Sequence, residues 1–134
     1  MGAVGAVIPT RRSAGLSPAV AKASAGAVMY LPVAGVVNLA RAVEACKQAG
    51  FWVVAADPRA SVEYDEAQLD PPLALVVGGE ERGVRRLVRE RCDAVVRIPM
   101  RGRVESLNVS VAAAILLYEV FRRLRARQRE ARSP

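Results

Sequence analysis

Apolar residues fall in short, mostly continuous runs along this chain, and polar stretches bearing proline or glycine separate them. Ala3–Ile8 is the first run, and Pro9 stops it, which predicts a buried strand. Ser17-Pro18 followed by Ala19–Ala25 predicts a short helix with proline at its first position, and Ala27–Pro32 predicts another brief strand. Asn38 is suited to cap a helix over Leu39–Ala49. Leu39, Ala42, Val43 and Cys46 form its apolar stripe, and Gly50 is its stop. Phe51–Ala56 predicts a strand ended by Asp57-Pro58, and Ser61–Asp70 reads as an acidic, irregular connection closed by Pro71-Pro72. Leu73–Val77 is the next expected strand, and Val84–Cys92 a short helix after the Gly79–Gly83 loop. The strand Val95–Pro99 and a long helix from Leu107 to about Arg129 follow. Strands alternating with helices, most of them continuous apolar runs, predict an α/β fold: a mostly parallel sheet flanked by helices on both faces.

Composition narrows the class. With 134 residues, 52% of them apolar, there is room for one domain, 1–134, and a modest core. A formal charge of +7 favours a polyanionic partner, although an arginine-rich surface that merely keeps the chain soluble is the bland alternative. Aromatic residues make up only 4%, so recognition of a nucleic acid would rest on phosphate contacts rather than base stacking. The absence of histidine removes Ser-His-Asp and Cys-His chemistry and the commonest transition-metal ligand. Cys46 and Cys92 form no C-x-x-C pair, so no metal site is expected, and both read as buried thiols of a reducing compartment. No run approaches the roughly 18 apolar residues of a membrane span. The longest candidate, Val109–Tyr118, is interrupted by Ser110, and a cytoplasmic protein without membrane contact is expected.

The densest chemistry lies between Ile98 and Tyr118, I-P-M-R-G-R-V-E-S-L-N-V-S-V-A-A-A-I-L-L-Y. Polar groups crowd into a glycine-bearing loop that opens onto an apolar helix, an arrangement suited to a ligand at a helix N-terminus. Ser106, Asn108 and Ser110 are three candidates for a cap where one suffices. This stretch, together with Leu75-Val76-Val77-Gly78-Gly79-Glu80-Glu81-Arg82-Gly83-Val84 about 20 residues upstream, resembles motifs 3 and 2 of the SpoU/TrmH family of S-adenosylmethionine-dependent RNA ribose 2′-O-methyltransferases.

The resemblance implies a SPOUT α/β-knot fold, in which the C-terminal segment threads a preceding loop to form a trefoil knot. It implies S-adenosylmethionine as cofactor, bound by Gly78, Ile98 and Leu107, with Met100 and Gly102 shaping the loop around it. Glu80, Ser106 and Asn108 match the polar residues that the family places around the reacting ribose. Their plainer readings are a surface acid beside Arg82 and two helix caps. The Arg11-Arg12-Ser13 loop and Lys22 resemble the branch that methylates a guanosine of bacterial large-subunit ribosomal RNA, so an rRNA substrate is expected ahead of tRNA.

Members of the family carry a further motif, motif 1, on a first strand-helix unit, and the resemblance implies that this chain lacks that unit. The small N-terminal RNA-binding domain usual in the branch is likewise expected to be missing from this stretch. An N-terminally truncated catalytic domain is therefore expected, with little or no methyl transfer alone. On the C-terminal helix, Arg122, Arg123 and Arg125 are candidates for RNA phosphate contacts alongside Arg11 and Arg12, or else are cations suited to a helix C-terminus. Family members dimerise through helices including this one, which implies a homodimer using Leu116, Leu117, Val120, Phe121 and Leu124.

Overall fold

Six short strands and three helices carry the described part of the chain. The computed structural model describes residues 1–10, 30–79, 83–104 and 107–134. They form two compact units, Gly2–Ala42 and the remainder from Val43 to Pro134.

In the first unit, β1 (Ala6–Pro9) pairs in parallel with β2 (Val33–Val36), with Ala6 opposite Val33 and Pro9 opposite Val36. The second strand thus lies beyond the expected Ala27–Pro32, of which residues 27–29 fall outside the described set. Pro32 has no N–H for a ladder, and its carbonyl accepts from Ala6 N at 2.9 Å, so the pairing starts there. Gly35 lies close to the paired strand: a Cβ at that position would stand 2.8 Å from Cγ2 of Thr10, whose side chain would have to turn aside. A glycine in an apolar run reads as a breaker, whereas here it permits close approach. The expected helix over Ala19–Ala25 and the Arg11-Arg12 loop lie outside the described residues. Asn38 caps α1 (Leu39–Gln48) as its sequence suggests, its side-chain oxygen accepting from Arg41 N at 3.2 Å.

The second unit is built on a four-stranded, all-parallel sheet. Its strands are β3 (Trp52–Ala56), β4 (Val62–Glu63), β5 (Leu73–Val76) and β6 (Ala94–Arg97), in the order β4-β6-β3-β5. Two helices accompany it, α2 (Arg86–Arg91) and α3 (Val109–Arg132). The central strand β3 is buried on both faces, since Val53 and Ala55 point opposite to Val54 and all three are at most 1% exposed. Val54 joins Val96 of β6, Leu69 and Leu116 of α3 in one fully buried cluster, so α3 covers that face. The supposedly irregular Ser61–Asp70 holds a two-residue edge strand, a 3-10 turn at Tyr64–Glu66 and the buried Leu69. Two residues are too few to show a period, so only pairing with β6 reveals β4. Cys46 and Cys92 are half-buried rather than buried, and neither forms a disulfide.

Candidate functional site

Parallel strands end on one side of their sheet, and the residues that leave those ends converge there. β3 leaves through Asp57-Pro58-Arg59, β5 through Val77-Gly78-Gly79 and β6 through Ile98-Pro99-Met100. Together with Gly102, Val104, Leu107 and the first turn of α3 they line a cleft of about 730 Å³. All five positions expected to hold a cofactor, Gly78, Ile98, Met100, Gly102 and Leu107, border this single cleft. Two separate strand exits, the loop after the second and one helix start supply them.

The lining of the cleft includes the apolar Ile98, Met100, Val104, Leu107 and Val109. Gly78 stands where backbone meets backbone: an added Cβ would lie 1.9 Å from the carbonyl carbon of Gly83 and 2.2 Å from Val84 N. Any side chain would therefore push the two limbs of the loop apart. Gly83 N donates to Gly79 O at 2.8 Å and closes that loop at its neck. The ensemble fits an adenine-bearing sulfonium cofactor, which needs an apolar slot, backbone polar groups within reach and little free water.

The cleft lining also carries charged residues, and these were not foreseen in the sequence. Asp57 is only 4% exposed and accepts from Arg59 through the backbone N–H at 2.8 Å and through Nε and NH2 at 3.2 Å each. Arg89 of α2 adds a bond from NH1 at 2.8 Å. The Arg59 guanidinium above all, then its N–H and Arg89, hold the Asp57 carboxyl down to about 2 against the opposing effect of burial. Beside them Arg97 of β6 bonds Glu63 of β4 at 3.3 Å, and both line the cleft. Asp57-Pro58 looked like a strand stop and nothing more. The rule that ligands sit beyond the carboxyl ends of parallel strands was the signal that could have nominated it.

Of the residues expected at the reacting ribose, Glu80 and Ser106 lie outside the described residues, as do Arg11 and Arg12. Asn108 is the N-cap of α3: its side-chain oxygen accepts from Ser110 N at 2.8 Å and from the Ser110 hydroxyl. Of the three cap candidates, then, Asn108 does the capping. The arginines of α3 separate by role. Arg123 spends its donors on Glu119 and on the carbonyls of Ala67, Tyr64 and Asp65, at 2.7 to 3.3 Å. Arg122 pairs with Glu119 but is more than half exposed, and Arg125 lies over the Phe121 ring, 5.7 Å from its centroid.

The SpoU rRNA Methylase family matches residues 1–118. A Bacillus subtilis protein, YacO, whose name places it in the TrmH family of tRNA/rRNA methyltransferases, is 51% identical over 123 residues, covering 92% of this chain and 49% of its own length. The chain therefore spans about half the length of the curated relatives it matches. Among solved structures, an RNA 2′-O ribose methyltransferase superposes with a TM-score of 0.79 at 38% identity, over 90% of this chain and 46% of that one. An AdoMet-bound rRNA methyltransferase of Sinorhizobium meliloti gives 0.83 at 31% identity, over 92% and 47%. With the parallel sheet, the cleft at its strand ends and a family match over most of its length, this chain belongs to the SpoU rRNA Methylase family.

Proposed function

We propose that this chain is the S-adenosylmethionine-binding part of an RNA ribose 2′-O-methyltransferase. One observation carries the reading: Gly78, Ile98, Met100, Gly102 and Leu107, named from two separated motifs, line one cleft beyond the ends of parallel strands. The family membership and the AdoMet bound in the Sinorhizobium meliloti structure support it.

Bound in this cleft, S-adenosylmethionine supplies an electrophilic methyl group on a sulfonium, which a 2′-hydroxyl takes as it loses its proton. The chain's own residues set the conditions. Ile98, Leu107 and Val109 offer the apolar wall that receives the adenine and keeps water from the sulfur. Gly78, lacking a side chain, keeps the neck of its loop closed and its backbone polar groups within reach. Asn108, by capping α3, fixes the loop that carries Leu107. Glu80 and Ser106, carried over from the family's motifs, are proposed to orient the ribose. In-line attack by a weak nucleophile depends on such positioning.

An rRNA guanosine is the proposed target, ahead of tRNA, on the strength of the Arg11-Arg12-Ser13 loop and Lys22. The reading includes the knotted C-terminal segment of the fold and a homodimer through α3. Of the residues expected at the dimer face, Leu116 is 1% exposed in the core cluster and Val120 packs against it, so the dimer is proposed instead through Val111 and Tyr118, 47% and 54% exposed, which border an apolar groove with Ala114 and Ile115. Calorimetry of S-adenosylmethionine binding to this chain is the primary test, and a folded chain that binds none overturns the reading. Transfer of a tritiated methyl group to unmodified ribosomal and transfer RNA then separates the two substrates.

A further inference from the structure

Two arginines converge on one buried carboxylate at the edge of the cleft, and one of them is surplus to its neutralisation. Arg89, 30% exposed, meets Asp57 Oδ2 at 2.8 Å. Arg59 is 74% exposed yet fixed at three points, by its backbone N–H, its Nε and one terminal nitrogen, all on Asp57. The trio carries a net charge of +1, and its remaining guanidinium face is open to solvent beside the cleft. An exposed arginine ordinarily loses considerable rotamer freedom on meeting a ligand; one already tied to a buried acid loses less. Arg101 and Arg103, both exposed, flank the cleft-lining Gly102 in sequence and add positive charge to the same loop.

We infer that Arg59 binds a phosphate of the RNA backbone at the mouth of the cleft, and that Asp57 is the residue that positions it. This rests on the RNA reading above. An RNA phosphate fits better than the cofactor's carboxylate because Arg59 presents its free face outward, where a strand whose ribose enters the cleft must pass. Its planar fork also matches a phosphate's paired oxygens.

The test is fluorescence anisotropy of a labelled single-stranded RNA with the 134-residue chain across a salt series, alongside calorimetry of S-adenosylmethionine. Arg59→Ala should weaken RNA binding about three- to tenfold and make the log K against log salt slope shallower by about 0.7, one phosphate's share. Cofactor affinity should fall less than RNA affinity. Arg59→Lys should keep the parent's slope while recovering only part of the affinity. Asp57→Asn is the sharper variant, because removing a negative charge should tighten RNA binding if only net charge matters, whereas freeing Arg59 should weaken it. Circular dichroism establishes that it folds, and the exposed Arg59→Ala decides the matter if it does not. An unchanged slope in Arg59→Ala, tighter binding by folded Asp57→Asn, or a fall in cofactor affinity alone overturns the inference and leaves the methyltransferase reading standing. A parent chain that binds cofactor but no RNA overturns the inference too, and one that binds neither overturns both.

Discussion

Leu107 and Asp57 line the same cleft, one apolar and one charged, and each makes its own prediction. Leu107 follows a loop and precedes the cap of α3, so its side chain is presented to the slot by a fixed helix start. Leu107→Asp sets an unpaired carboxylate against an apolar wall, and affinity for S-adenosylmethionine should fall about ten- to a hundredfold. Calorimetry on the folded variant reads this directly, and unchanged affinity would place the adenine elsewhere. Asp57 has its carboxyl held at about 2, below the ordinary 3.8, so its ion pairs stabilise the folded state fully above pH 3.8. That contribution, about 2 kcal/mol, is lost as the pH falls from 3.8 through 2. Urea denaturation of parent and Asp57→Asn should therefore give stabilities that differ at neutral pH and converge in acid.

At the scale of elements, α3 is tied to the sheet by more than its apolar stripe. Glu119, 8% exposed, collects Arg122 and Arg123, and Arg123 reaches on to three carbonyls at and after the 3-10 turn. Hydrogen bonding from Arg122 above all, then Arg123, holds the Glu119 carboxyl at about 2, below its ordinary 4.5, against the effect of burial. Its stabilising effect is thus complete above pH 4.5 and disappears as the pH drops towards 2. Glu119→Gln should cost about 2 to 3 kcal/mol at neutral pH, with the gap to the parent closing in acid. This division of labour also alters the expectation for RNA. Arg123→Ala, which loses both Glu119 and the three carbonyls, should lower the denaturation midpoint most, while Arg122 and Arg125, replaced together by Ala, should lower it less, because Arg123 still pairs with Glu119. If each meets a phosphate, the double variant makes the salt slope shallower by about 1.4; an unchanged slope would make both arginines simply solvated helix cations.

For the whole molecule, assembly is the property most open to measurement. An apolar groove along α3, bordered by Val111, Ala114, Ile115 and Tyr118, is the face proposed to meet a second copy. Sedimentation should find the parent as a dimer and Tyr118→Glu as a monomer of unchanged helicity; a monomeric parent would remove the dimer from the reading. No helix among the described residues is long and apolar enough to cross a membrane. Much of this architecture was legible in the order of residues. Continuous apolar runs at Phe51–Ala56, Leu73–Val77 and Val95–Pro99 marked three parallel strands, local signals at Asn38 and Gly50 marked helix ends, and Asn108 was one of three cap candidates for α3. Those features depend on period and on near neighbours, which a linear text carries. The two-residue β4 and the glycine-bearing β2 have no period of their own, and pairing with distant strands alone defines them. The Asp57–Arg59–Arg89 cluster and the tie from Glu119 through Arg123 to the 3-10 turn are likewise sums over residues up to 59 positions apart. Charge and polarity were plain in the sequence, but which arginine is spent within the fold and which is left for a ligand was decided only when folding set each one beside, or away from, a buried carboxylate.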